Sequence, residues 1–308
     1  MSPLVRACFA LALSLWTVGA SAAIAPRETT SREAAARADA ASQLKARYAQ
    51  VKERLERSPY GRPLMLDSRE LARELQGDAY AVVPQPFPKV EAALAPVGNW
   101  CEVLMLPFNT KHCVASTEQG ATRLALFVGR KNDTPVRDAY RLDFDYEVIA
   151  RGPDFLQIEL RAGQGPLGTR NYRIVMELTP IDDRRSFLHL YYSYGYGMAS
   201  KVAMQAYLAT LGASKVGFTS DSNDGDLVRG MRGVMERNTM RYYLALDAYL
   251  ASLDAPAGAA VTKRLNDWFS ATERYPRQLN ENIDRAQYVS MKQREYARMA
   301  GVTTASGS

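Results

Sequence analysis

Tyr140-Arg141-Leu142-Asp143-Phe144-Asp145-Tyr146-Glu147-Val148 alternates apolar and charged residues without a break, and the same register returns in the strand-like runs that follow. Leu156, Ile158 and Leu160 keep it, then Tyr172, Ile174, Met176 and Leu178, then Leu188, Leu190, Tyr192, Tyr194 and Tyr196. The odd positions between them are largely charged or amide residues, as at Arg141, Gln157, Glu159 and Glu177. A period of two with one polar face is the pattern of an antiparallel sheet whose other face is covered. The covered face is rich in tyrosine, which joins a broad apolar ring to a polar tip. Such a surface either packs a plain core or curls around an apolar guest.

Upstream of this run, Thr110–Ser116 and Arg123–Val128 read as strands, with short strands at Leu64–Leu66 and Asp78–Val83. Pro84-Gln85-Pro86-Phe87-Pro88 breaks the sheet, and Lys89–Leu94 and Asn99–Leu106 read as short helices. Glu33–Ser58 is predicted as one helix with Leu44, Tyr48, Val51 and Leu55 on its docking face. Downstream, Ala199–Leu211 turns helical, and Asp226–Leu253 is the longest helix candidate. Its apolar face carries Met231, Met235, Thr239, Tyr242, Leu246 and Tyr249. Two further helices carry Trp268 and Tyr288. Strands grouped before long helices indicate an α+β fold, with Ala199–Leu211 and Asp226–Leu253 as the two candidates for the helix held by the sheet.

Residues 1–25 have the charged start (Arg6), the apolar centre (Ala7–Val18) and the small-residue site (Ala20-Ser21-Ala22) of a signal peptide. The apolar run falls short of a membrane span. The expectation is an exported protein, periplasmic or secreted. Of the three cysteines, Cys8 leaves with the leader. Cys101 and Cys113 are then expected to form a disulfide, as suits an oxidising compartment. The rival, a metal cluster using His112, is poorly supplied because His189 is the only other histidine. The net charge of +6 suits a basic surface, with peripheral contact to an anionic membrane as one use. No lysine/arginine block is dense enough to argue for nucleic acid. The chain divides into a leader (1–25), an N-terminal helix (26–61), a central domain (62–253), a helical extension (254–300) and a polar tail (301–308).

The central domain has a recognisable order. A strand over Gly77-Asp78-Ala79-Tyr80-Ala81-Val82 runs into Pro86-Phe87-Pro88-Lys89-Val90. Short helices around Asn99-Trp100-Cys101 follow, then the strand run, then a long helix through Glu236-Arg237-Asn238-Thr239-Met240-Arg241-Tyr242-Tyr243. From Leu64 to Leu253 this resembles the START-like (SRPBCC, helix-grip) superfamily, as an exported bacterial member. The resemblance implies a curved antiparallel sheet around a long helix, here with extra N- and C-terminal helices. It also implies a hydrophobic guest between them: members bind lipids, sterols, polyketides or plant hormones, and some cyclise or hydroxylate aromatic compounds.

No catalytic motif stands out. Gly163-Gln164-Gly165-Pro166-Leu167-Gly168 matches G-x-G-x-x-G but lies between two strands and holds a proline, so it reads as a hairpin loop. There is no G-x-S-x-G elbow, and Ser42-Gln43-Leu44-Lys45 has no partner motifs. His189 falls on the odd face of its strand. Arg232 and Glu236 are spaced as a helix pair; Arg237 and Arg241 either tie the long helix to the terminal helices or meet an acidic headgroup.

The reading is therefore a binder or carrier of an apolar small molecule or lipid, with no catalytic residue, metal or cofactor. Its expected lining is Tyr140, Phe144, Tyr172 and Met176 with Tyr192, Tyr194, Met231 and Met235. Two alternatives stay open. One is a cyclase- or hydrolase-type enzyme on the same fold, in which His189 and a tyrosine hydroxyl converge in the cavity. The other is an envelope scaffold whose core is filled.

Overall fold

The computed structural model describes residues 26–210, 213–220 and 225–305. The predicted leader and its cleavage site lie outside the described residues, as does the end of the tail. Two compact units divide the chain, Met1–Ala36 and Arg37–Ser308, and the second carries the sheet and both hydrophobic cores.

Among the described residues the strands are β1 (Leu64–Glu70), β2 (Glu74–Val83), β3 (Thr110–Glu118), β4 (Ala121–Val128), β5 (Tyr140–Arg151), β6 (Leu156–Gln164), β7 (Arg170–Pro180) and β8 (Ser186–Gly195). The helices are α1 (Pro26–Glu56), α2 (Phe87–Leu94), α3 (Val97–Leu104), α4 (Met198–Ala209), α5 (Gly230–Leu250), α6 (Ala257–Glu273), α7 (Pro276–Leu279) and α8 (Arg285–Ala305). The strands form one antiparallel sheet in the order β1-β2-β8-β7-β6-β5-β4-β3. Pairing keeps one face across the sheet, with even residues in β1 and β4 to β8 and odd ones in β2 and β3: Ile158 faces Met176, Met176 faces Leu190, and Leu190 faces Ala79. One face is therefore apolar from edge to edge, and the fold is α+β as the element order predicts.

The helix held by the sheet is α5, which lies along β1, β2 and β8. Its seat is cut at Gly77, where a Cβ would come within 2.3 Å of Thr239 Oγ1 and 2.9 Å of Met235 Cγ. Only a residue without a side chain lets the helix approach that closely. Beside that seat, Glu236 is fully buried rather than paired with Arg232 across the helix surface. Its carboxylate accepts the backbone N–H groups of Phe218 (2.5 Å) and Thr219 (2.9 Å) and the hydroxyl of Ser68 (2.6 Å). The segment before α5 is thereby pinned to both the helix and β1. Arg237, also buried, donates to Val216 O at 3.1 Å.

The outer face is less wet than the sequence pattern predicts. The part of α1 that belongs to the second unit buries Leu44, Val51 and Leu55 against Met65, Tyr80, Phe155 and Phe187. Tyr48 and Phe187 meet with ring centroids 5.1 Å apart. Helix, sheet and helix thus make three layers, with a second, smaller core outside the sheet. Beyond α1, the outer face carries ion pairs from Glu159 to Arg161 and Arg173.

Cys101 on α3 and Cys113 on β3 are joined by a disulfide, so they are not the cysteine half of a metal cluster with His112. A ring this short is worth about 3 kcal/mol when the geometry is relaxed. The C-terminal helices close the same edge of the sheet. Lys111 of β3 and Lys292 and Glu295 of α8 are each 0% exposed. Glu295 bonds Lys111 at 3.2 Å and Lys292 at 2.5 Å. Lys292 also donates to Thr110 O at 2.6 Å. Burial pushes the Lys292 ammonium down to about 8 despite that carboxylate.

Candidate functional site

The apolar face of the sheet is plugged at one end and hollow at the other. At the plugged end α2 and α3 press Phe87, Val90, Leu94 and Trp100 onto the strands, and the Tyr146 hydroxyl donates to Ala95 O at 2.6 Å. At the other end lies a cavity of about 870 Å³. Its floor is the start of β5 (Leu142, Phe144), the start of β7 (Tyr172, Ile174) and the end of β8 (Tyr192, Tyr194). Met231, Val234 and Tyr242 of α5 form one wall, and Ala203 and Met204 of α4 with Leu167 form another.

Of the expected lining, Phe144, Tyr172, Tyr192, Tyr194 and Met231 come together on this wall. Tyr140, Met176 and Met235 do not. Tyr140 opens β5 opposite Val128 and is 40% exposed. Met176 is one pleat further along β7 than Ile174 and falls under the plug, fully buried. Met235 packs onto β2 at Gly77, in the seat of the helix. The sequence reading missed Leu142 and Ile174, which share the even register, and Tyr242, which sits on the apolar stripe of α5. Lys131 and Glu281 were missed because they lie in connecting segments without periodicity. A filled core is excluded at this end of the sheet.

The cavity's polar groups fall into two sets. The first is phenolic. Tyr172 donates to Thr169 Oγ1 at 2.7 Å, and burial pushes its phenol up to about 12. The hydroxyls of Tyr192, Tyr194 and Tyr242 have no hydrogen-bond partner among the described residues. Burial, with the neighbouring phenols second for Tyr192 and Tyr194, raises these three as well. They stay neutral and keep their protons as donors. Their rings are tightly grouped: Tyr172 and Tyr194 stack at 5.3 Å, and Tyr192 meets Tyr242 edge-on at 5.4 Å.

The second set is ionic and sits at one rim. Glu281, before α8, is buried and takes Lys131, Lys215 (2.8 Å) and Arg241 together. Burial works against its charge, but Arg241 and the two lysines hold the carboxyl below its usual range. Lys131 is pushed by burial down to about 8 in spite of Glu281. Three cations on one carboxylate leave this rim positive, and exposed Arg130 stands beside it. Arg241 therefore does tie the long helix to the C-terminal region, at the edge of the cavity.

His189 lies on the outer face, away from the cavity. Its ring stacks on Tyr80 at 4.4 Å, Nδ1 meets Glu177 at 2.8 Å and Nε2 meets Asp78 at 2.7 Å. An enzyme using His189 against a cavity tyrosine is therefore excluded by geometry. Burial opposes the charged ring, yet the bonds to Asp78 and Glu177 win and raise its pKa. A histidine with a raised folded pKa lends stability that is full below its unfolded value near ~6.5 and is lost as pH climbs through the folded value. The melting temperature is thus expected to fall as pH rises above that point. In His189→Gln that slope should flatten; an unchanged slope would remove His189 as its source.

No family model matches the chain, and no curated protein matches it in sequence. Solved structures are similar in shape. A conserved protein from Geobacillus kaustophilus is 14% identical, with a TM-score of 0.34 over 57% of this chain and 95% of that one. The ZhuI aromatase/cyclase from Streptomyces sp. R1128 is 13% identical, with a TM-score of 0.31 over 65% and 94%. Norcoclaurine synthase from Thalictrum flavum is 11% identical, with a TM-score of 0.31 over 49% and 82%. These likenesses are too low in identity and in score to bear on function. The sheet order, the seat at Gly77 and the helix laid along the sheet give the chain an α+β helix-grip architecture.

Proposed function

We propose that the protein binds and carries an apolar small molecule, a lipid or comparable amphiphile, in the hollow end of the grip, after export to the periplasm or beyond. The observation that carries this reading is a set of three phenol donors without protein partners inside an otherwise apolar cavity. These hydroxyls are open to the cavity and not sealed in the core, so a guest can reach them. A guest with an apolar body and oxygen acceptors would satisfy these, while its acidic end meets the cationic rim of Lys131 and Arg130. Each 100 Å² of apolar guest surface taken from water contributes about 2.5 kcal/mol before the cost of association. The phenols hold their protons and Glu281 is occupied by three cations, so these groups are set to bind a guest as donors rather than to act as bases. The disulfide is compatible with export.

Native mass spectrometry of protein taken from its own cell envelope tests this. The expected spectrum shows a mass adduct that organic extraction removes and that analyses as an oxygenated apolar molecule. Bare protein, together with no uptake of any lipid from an envelope extract, would end the proposal.

A further inference from the structure

The α4 wall of the cavity also has an outer face, and that face is unusual. Met198 and Val202, four apart and so on one side of the helix, are 75% and 59% exposed. Beside them Leu167 is 73% exposed, and the Ser200 hydroxyl fixes this loop to α4 through Leu167 O at 2.6 Å. Leu167 also has a φ of 58°, a left-handed conformation that glycine or asparagine holds at lower cost. A large apolar residue is thus kept in water and in an unfavourable backbone geometry at once. Leu71, exposed at the β1–β2 turn, extends the patch.

The rim of the patch is basic. Arg73, Arg170 and Lys201 border a shallow groove with Ala72 and Met198. Two carboxylates lie nearby, Glu70 accepting from the Tyr196 hydroxyl at 3.3 Å and Glu74 from Gln76 at 3.0 Å, which leaves three cations against two anions. Apolar side chains framed by cations fit the interface of an anionic bilayer, where the rings of charge meet phosphates and the apolar residues enter the acyl boundary. A second copy of this chain would instead bring the same cations against each other. No described helix is long and apolar enough to cross a membrane, so the contact would be peripheral.

We propose that Met198, Val202 and Leu167, framed by Arg73, Arg170 and Lys201, dock the protein on an anionic lipid surface. The contact places the α4 wall of the cavity against the membrane; Leu167 lines the cavity as well, so the test variants are made at Met198 and Val202, which do not. Flotation with vesicles tests it, using phosphatidylcholine alone or mixed with phosphatidylglycerol. Wild-type protein should float with the anionic vesicles and lose most of that binding in high salt. Met198→Asp/Val202→Asp should cut partitioning at least tenfold at an unchanged melting temperature. Arg73→Glu/Lys201→Glu should weaken binding to anionic vesicles only. Failure of the wild type to float, or equal flotation of the variants, overturns the proposal. A concentration-dependent dimer that Met198→Asp/Val202→Asp abolishes would assign the face to a second copy and overturn it too. Cavity loading, read separately by mass spectrometry, keeps the two proposals distinguishable.

Discussion

Replacing Glu295 with alanine is expected to lower the unfolding free energy by about 3–5 kcal/mol, the cost of leaving buried charge without its partner. Lys111 and Lys292 would both remain at 0% exposure with no counter-charge between them. Their remaining acceptors are backbone carbonyls of Phe108, Pro107 and Thr110, with the Met291 sulfur near Lys111. The pH dependence has a definite sign. Lys292 in the folded protein is already depressed to about 8, below its unfolded value near ~10.4. Folding therefore favours the neutral amine, and stability gains as pH rises between those values. Without Glu295 the depression deepens, so the deficit of the variant should shrink on going from pH 7 to about 10. Urea denaturation at several pH values measures both effects. A deficit under about 1 kcal/mol at neutral pH would show that water or rearrangement compensates the two lysines.

The second large effect concerns the cavity. Changing Tyr192, Tyr194 and Tyr242 together to phenylalanine removes three hydroxyls and leaves every ring contact in place. Each hydrogen bond to a guest is worth about 1 kcal/mol net, so the triple variant should bind about 100-fold more weakly. Stability should not fall, because none of the three hydroxyls bonds to the protein among the described residues. Displacement of anilinonaphthalene sulfonate, whose sulfonate offers acceptors, reads the affinity, and a melting curve reads the fold. Unchanged affinity would mean that the guest lies elsewhere in the cavity or that the hydroxyls face only water.

The sheet was legible in the sequence because one parity carries the apolar residues from β4 to β8, and a single slip of register would have reversed it. The same parity could not say which end of that face is hollow. Ile174 and Met176 are neighbours in the pattern, yet one lines the cavity and the other lies under the plug. That difference is set by where α2 and α3 dock, a tertiary fact with no periodic signal. Phe187, an aromatic on the supposedly wet parity, was the clue that α1 covers the outer face. Glu236 and Glu295 look like ordinary helix-surface acids by spacing. Their burial depends on backbone amides and lysines brought from distant elements, which spacing along one helix does not encode.

One feature of the topology reaches beyond the finished molecule. Strand β2 has β8 as its inner neighbour, and Asp78 meets His189 across 111 positions of sequence. During synthesis, at about 5–20 residues per second, the first hairpin waits several seconds for the strand that completes it. Through that interval the Gly77 seat has no helix to close on, because α5 is made later still. Assembly is therefore governed by its last-made parts, and the nascent chain stays open and pliable until most of it exists.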